Sequence, residues 1–215
     1  MNYDIMDLKE QNEILVNHLI EMGALKTPKI IEAFRKIPRH LFVRRDYLKY
    51  AYEDIPLPTF QGQTISQPYT IAIMTEALGP KIGEKILEIG SGSGYQAALL
   101  AYCVGQEGKV VTVELEPELV EFSKKNIKKV KLKNVKIICG DGKNGYPEDS
   151  PYDKCIITAA CKEVPKAVRE QTKINGRIVA PVNGFLGQRM MVIDKISNTQ
   201  FRKRDLGSFI FVPLR

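Results

Sequence analysis

ILEIGSGSGYQAALLAY, residues 86–102, runs from an apolar strand through a glycine-rich turn into a helix. Gly90, Gly92 and Gly94 allow the backbone to turn sharply and to approach a ligand closely. The spacing is G-x-G-x-G. A dinucleotide fingerprint would set its third glycine at position 95, which here is Tyr95, so a diphosphate cradle is disfavoured. Glu88, just before the turn, points the same way: a carboxylate there would repel phosphate and attract a cationic group. A tight strand-to-helix turn without a ligand is the plain alternative.

Outward from this stretch, short apolar runs alternate with helical segments. KVVTVE (109–114) precedes a helix opened by Pro117. VKIICG (135–140) precedes a loop, DKCIITA (153–159) a short helix near 165–172, and RIVAPV (177–182) follows. Near-continuous apolar strands separated by helices predict a parallel sheet covered on both faces, a doubly wound, Rossmann-like α/β domain. RMMVIDKI and QFRKRDL then predict an antiparallel hairpin on the sheet edge, and FIFVPLR a last strand stopped by Pro213. Three predicted strand ends carry groups suited to a ligand: the glycine turn; Glu114 with Leu115, where an acid can accept from both ribose hydroxyls; and Asp141-Gly142, where an adenine amine could be read. Taken alone, the glycine stretch and Asp141-Gly142 each also read as a turn, and a NAD site would place an acid as Glu114 is placed.

The N-terminal part has a different texture. Residues 7–22 show helical spacing, Thr27 and Pro28 predict the N-cap and first position of a second helix, and Pro68 opens a third that ends near Gly79. Residues 38–66, rich in proline, show little periodicity and read as a long functional or disordered loop. Residues 1–80 thus form a helical and loop layer packed on a core of residues 81–215. No run of about 18 apolar residues predicts a membrane span. MNYDIMDLKEQNE, charged at the start, lacks the pattern of a secretory signal, and the cytoplasm is the expected location. Cys103, Cys139, Cys155 and Cys161 have no metal-site spacing, so no metal is expected; Cys139 and Cys155 read as buried thiols in strands. The net charge of +7 gathers in the lysine run at 124–136, which reads as a solvated helix face. Nucleic acid is the minority reading.

The order and spacing of GQTISQPYTIAIMTEAL (62–78), the glycine turn, GDGKNGYPEDSPYDKCIITAA, GRIVAPV and FVPL resemble protein-L-isoaspartate O-methyltransferases over about residues 10–215. The resemblance implies S-adenosyl-L-methionine as cofactor. Its partners would be damaged proteins and peptides, whose L-isoaspartyl carboxylate is esterified so that repair can proceed through a succinimide; D-aspartyl residues are a second candidate. It also implies roles. Ser66 matches the active-site hydroxyl, and Thr64, Ile65 and Val212 the substrate pocket. Glu88, Gly90, Ser91, Gly92 and Gly94 match the cofactor turn, Glu114 and Leu115 the ribose edge, and Asp141 and Gly142 the adenine edge. Two departures stand out, Lys173-Ile174-Asn175-Gly176 where P-G-G is usual and Asn183 where glycine is common. They bear on loop geometry.

The implied chemistry suits a site without a histidine or cysteine dyad. A carboxylate with a pKa of about 4 is already ionised at neutral pH and needs no general base. Ser66 can donate a hydrogen bond to it; the plain alternative is that Ser66 caps the helix at Pro68. His18 and His40 read as packing or loop residues. A methyltransferase for RNA or a small molecule, a basic RNA-binding module, and a NAD-dependent oxidoreductase are the competing readings, the last opposed by Tyr95. The apolar pattern is accounted for internally, which predicts a monomer.

Overall fold

The computed structural model describes residues 7–185 and 187–215. The first six residues, where the reading against a secretory signal begins, lie outside the described residues. The chain builds α1 (Leu8–Glu21) and α2 (Pro28–Lys36), a ribbon of β1 (Leu57–Pro58) and β2 (Thr64–Ile65), and then α3 (Pro68–Leu78). β3 (Lys85–Ile89), α4 (Tyr95–Val104), β4 (Lys109–Glu114), α5 (Pro117–Lys129), β5 (Val135–Cys139), β6 (Tyr152–Ile157) and α6 (Lys166–Gln171) follow. The long β7 (Thr172–Gly184), β8 (Gly187–Lys195) and β9 (Phe201–Ser208) complete it. Seven strands form one sheet in the order β5-β4-β3-β6-β7-β8-β9. The first five are parallel, and β7-β8-β9 are antiparallel, as the hairpin reading expected.

The period of two along each strand divides the sheet between two cores. Ile86, Val110, Ile156 and Val179 face α1 to α4; Leu87, Ile89, Val111, Cys155 and Ile178 face the side of α6, with Val168. Each such side chain contributes roughly 1.5–3 kcal/mol when buried. Tyr95, the residue that breaks the dinucleotide pattern, is used for packing. It is buried, with its ring centroid 6.2 Å from that of Phe34 and 5.2 Å from that of Phe42, and so docks the N-terminal layer on α4.

Several expectations need correction. Residues 38–66 are not structureless: they hold 3-10 turns at Arg39–Phe42 and Arg45–Tyr50 besides the β1–β2 ribbon. Thr27 does not cap α2 with its side chain. It holds the N-cap position, with Pro28 following as expected, but its hydroxyl donates to Glu76 Oε2 (2.7 Å), while Glu76 Oε1 accepts from the N–H groups of Lys26 and Thr27 just before the helix. Cys139 is exposed, because it ends the edge strand β5. FIFVPLR is no sheet strand: the Gln188 side-chain amide satisfies both the N–H and the C=O of Phe211, and Pro213 makes only an isolated bridge with Ala160. In the departing stretch 173–176, Asn175 takes φ +64° and the pairing of β7 with β6 shifts register. Asparagine tolerates that left-handed conformation better than most residues.

Candidate active site

The carboxyl ends of β3, β4 and β6 meet at one edge, on the side where an open α/β sheet binds its ligands. Here β3 continues outward to β4 and β5 in one direction and to β6 in the other. The resulting crevice is crossed by the C-terminal segment: Val212 C=O accepts from Ala160 N–H and Leu214 N–H donates to Ala160 C=O. Ile89, Gly90, Val113, Leu119 and Pro213 are among its walls.

Glu114 is fixed in this cleft. Its Oε2 accepts from Gly92 N–H (2.9 Å) and its Oε1 from Glu116 N–H (3.1 Å). An ionised carboxylate has about four acceptor positions, so each oxygen keeps capacity for a ribose hydroxyl. Gly90 has φ +93°, and a Cβ there would lie 2.5 Å from Thr158 Oγ1. A Cβ on Gly142 would strike Ile89 Cγ2, so both positions require glycine for close packing, and both line the cleft. Leu115 also lines it. An acid pinned by backbone donors, beside bare backbone, fits a nucleoside with free ribose hydroxyls.

A second cavity, an open groove, lies beside the cleft. Asp54, Ser66, Tyr69, Phe209 and Ile210 are among its walls. Thr64, Thr158 and Val212 line both cavities, so a single wall separates them. Ser66 and Ile65 also border a small recess under the glycine turn, together with Ser91 and Gly92. The Ser66 hydroxyl makes no hydrogen bond among the described residues. It does not cap α3: Asp54 Oδ1 accepts from Tyr69 N–H (2.7 Å) and Oδ2 from the Gln67 amide (3.0 Å), which corrects the capping reading.

Of the residues expected at the cofactor, Glu88, Ser91, Gly94 and Asp141 do not line the cleft. Glu88 is fully buried and borders neither cavity. Two residues from Ile86, its side chain shares the face covered by α4. Burial pushes its carboxyl up to about 8, partly offset by the Thr112 hydroxyl beside it, and the charge of Glu114 raises it further. Burial in this structure thus favours the neutral form of Glu88 over the charged one. Gly94 packs against α5: a Cβ would lie 3.2 Å from Ser123 Cβ. Asp141 turns back to Lys143 N–H (2.9 Å), and only Gly142 of that pair borders the cleft. Ser91, buried in the recess, donates to Ser123 Oγ (3.3 Å).

Sequence reasoning missed Thr158, whose hydroxyl lies 2.7 Å from the Gly90 carbonyl and 3.0 Å from that of Ile89, so that its one proton, given to either or shared, ties β6 to the turn. It also missed the rim, where Arg215 Nη1 pairs with Glu116 Oε1 (3.0 Å) and Nη2 donates to Gln61 C=O (3.3 Å). The only earlier signal for Thr158 is its position directly after an apolar run.

A parallel sheet of this order, with a glycine turn after β3 and a pinned acid at the end of β4, defines a class I S-adenosyl-L-methionine-dependent methyltransferase. Residues 10–215 match the family model described as Protein-L-isoaspartate(D-aspartate) O-methyltransferase, and the chain belongs to that family. A Protein-L-isoaspartate O-methyltransferase 2 from Archaeoglobus fulgidus is 45% identical over 98% of this chain and 95% of its own. A solved protein-L-isoaspartate O-methyltransferase superposes with TM-score 0.86 at 35% identity over 94% of this chain, which spans 65% of that longer one. A Plasmodium falciparum protein solved with S-adenosyl-L-homocysteine shares the fold, with TM-score 0.84 at 24% identity over 95% of this chain and 98% of that one.

Proposed function

We propose that the cleft and the groove are the two halves of one transfer site, the cleft for the cofactor and the groove for a peptide bearing an L-isoaspartyl residue. The observation that carries this reading is the shared wall: Thr64, Thr158 and Val212 border both cavities. S-adenosyl-L-methionine supplies an electrophilic methyl group when bound. Glu114, Leu115, Gly90, Gly92 and Gly142 would hold its nucleoside, and Ser91 would brace the turn.

Ser66 is the group we assign to the acceptor. Its unpartnered hydroxyl can donate to a carboxylate and orient it without the tight grip of an arginine. The groove walls include neither histidine nor cysteine, and the groove's carboxylate, Asp54, already accepts two hydrogen bonds. That arrangement suits an acceptor that arrives ionised and needs no proton removed. Transfer joins an anion to a cation, so a cleft that excludes water and aligns the two accelerates it. Val212 N–H and Ile210 N–H make no hydrogen bond among the described residues and border the groove, which suits them to an extended peptide backbone.

In this reading residues 1–80 grip the peptide and residues 81–215 the cofactor, within one compact domain. D-aspartyl residues present the same carboxylate chemistry and are a second substrate. A cytoplasmic location is supported by free thiols at all four cysteines. Among the described residues no helix is long and apolar enough to cross a membrane.

The test uses methyl-labelled cofactor with isoaspartyl and normal aspartyl versions of one peptide. Base-labile methyl ester should form on the isoaspartyl version alone. Equal labelling of both peptides, or transfer only to RNA, would reject the assignment.

A further inference from the structure

Arg39 is fully buried, with an exposure of 0%. Burying a guanidinium is costly and is tolerated where its hydrogen bonds serve a purpose. Its bonds all go to backbone carbonyls: Nη1 donates to Ala51 (2.6 Å), and Nη2 to Ile55 (3.0 Å) and Ser66 (3.1 Å). No carboxylate accepts from it, and Nε has no partner. Burial lowers its pKa only to about 10, so the group stays charged at neutral pH. On the far side of the same corner, Asp54 holds the Gln67 amide and Tyr69 N–H. The Ser66–Tyr69 corner is thus gripped from two sides, by residues that belong neither to the glycine turn nor to the cofactor cleft.

We propose that Arg39 is a positioning residue for the methyl acceptor: by fixing the Ser66 carbonyl together with two loop carbonyls, it holds the Ser66 side chain in the wall of the groove, beside the recess under the glycine turn. A planar fork carries its donors on separate nitrogens in fixed directions, so it can hold carbonyls set apart in space, whereas a lysine has to gather all its acceptors about one nitrogen, as Lys195 does with the carbonyls of Arg169, Glu170 and Thr172. The inference rests on the acceptor role of Ser66 and adds the group that keeps Ser66 in place. It also explains why a buried cation is kept here, where an apolar side chain would fill the same space at lower cost.

The test is a double-mutant cycle on kcat/KM for the isoaspartyl peptide, using Ser66→Ala, Arg39→Gln, Arg39→Lys and the two doubles. Calorimetric affinity for S-adenosyl-L-homocysteine reports the cofactor half and the integrity of the fold. Arg39→Gln should lower kcat/KM severalfold and by no more than the roughly tenfold that removing the Ser66 hydroxyl itself costs, because it acts through that hydroxyl. Arg39→Lys should cost less, and homocysteine-product affinity should stay within about twofold in both. On the Ser66→Ala background, either Arg39 change should cost no more than about a further twofold, the scatter expected of a lost coupling. If Arg39→Gln fails to bind the cofactor product, Arg39→Lys carries the cycle. Penalties that multiply in the doubles would overturn the proposal, as would wild-type kcat/KM in a folded Arg39 variant. An inert Ser66→Ala would instead overturn the role of Ser66, and this proposal with it, so the two failures are distinguishable.

Discussion

Glu114→Ala tests the cofactor half of the site most directly. The side chain is 7% exposed, and its two oxygens are held by the N–H groups of Gly92 and Glu116. This pre-orientation means that a ligand hydroxyl meets a fixed, charged acceptor and little ordering cost remains to be met on binding. A hydrogen bond to a charged group contributes about 1.5–3 kcal/mol. Losing even one such bond therefore raises the dissociation constant roughly 10- to 150-fold, at 1.4 kcal/mol per factor of ten. The assay is titration calorimetry with S-adenosyl-L-homocysteine, repeated with its 2′-deoxy analogue. The wild-type chain should bind the deoxy analogue more weakly, and the variant should discriminate little between the two. A dissociation constant within about twofold of wild type would refute the ribose role. Undiminished discrimination in a weakened variant would show that the loss comes from the freed Gly92 turn.

Ser66→Ala should lower turnover of the isoaspartyl peptide about tenfold, the worth of one hydrogen bond to a carboxylate, and leave cofactor-product affinity unchanged; unaltered turnover contradicts the assignment. Glu88 should make stability fall as pH rises. With its carboxyl held at about 8, above the ordinary 4.5, the folded chain keeps a proton that the unfolded chain releases between those values. The contribution present below pH 4.5 is thus lost as pH rises to 8, by at most about 5 kcal/mol. Glu88→Gln removes this dependence, so its urea midpoints at pH 5 and pH 8 should lie closer together than those of wild type; parallel profiles would refute a protonated Glu88. The chain should sediment as a monomer, because its most exposed large apolar side chains, such as Ile82, Phe185 and Ile210, are scattered along the chain; a dimer at micromolar concentration would contradict this.

The fold was legible where the determinants are local. α4 spans the expected Tyr95–Val104, and α2, α3 and α5 each begin at a proline, because proline at the first helical position sacrifices no hydrogen bond. Failures occurred where a local rule met a tertiary competitor. Thr27 stands at the N-cap as its residue type suggests, yet its hydroxyl is turned to donate to the charged Glu76 carboxylate and not toward the first turn of α2. Ser66 was displaced from the α3 cap by the charged Asp54 carboxylate, which accepts from Tyr69 N–H. FIFVPLR has the alternation of a strand, but the Gln188 side chain takes the place of a backbone partner.

The candidate site divides along the same line. Glu114 and the glycines announce themselves because each sits at the end of its own strand. Thr158 acquires its place only from strand order: β3 pairs with β6 across 68 residues of chain, and the register Ile89↔Ile157 brings the next residue beside Gly90. Glu88 fails for a reason that the sequence already contained. Side chains alternate faces along a strand, so a residue two positions after the buried Ile86 belongs under α4. An acid close to a glycine turn in sequence is therefore not thereby in the cleft; the strand's period decides which side it serves. Glu114 shares the face of Val110 and yet reaches the cleft, because as the last residue of β4 it stands at the sheet edge, where the chain turns toward α5 and the cleft opens.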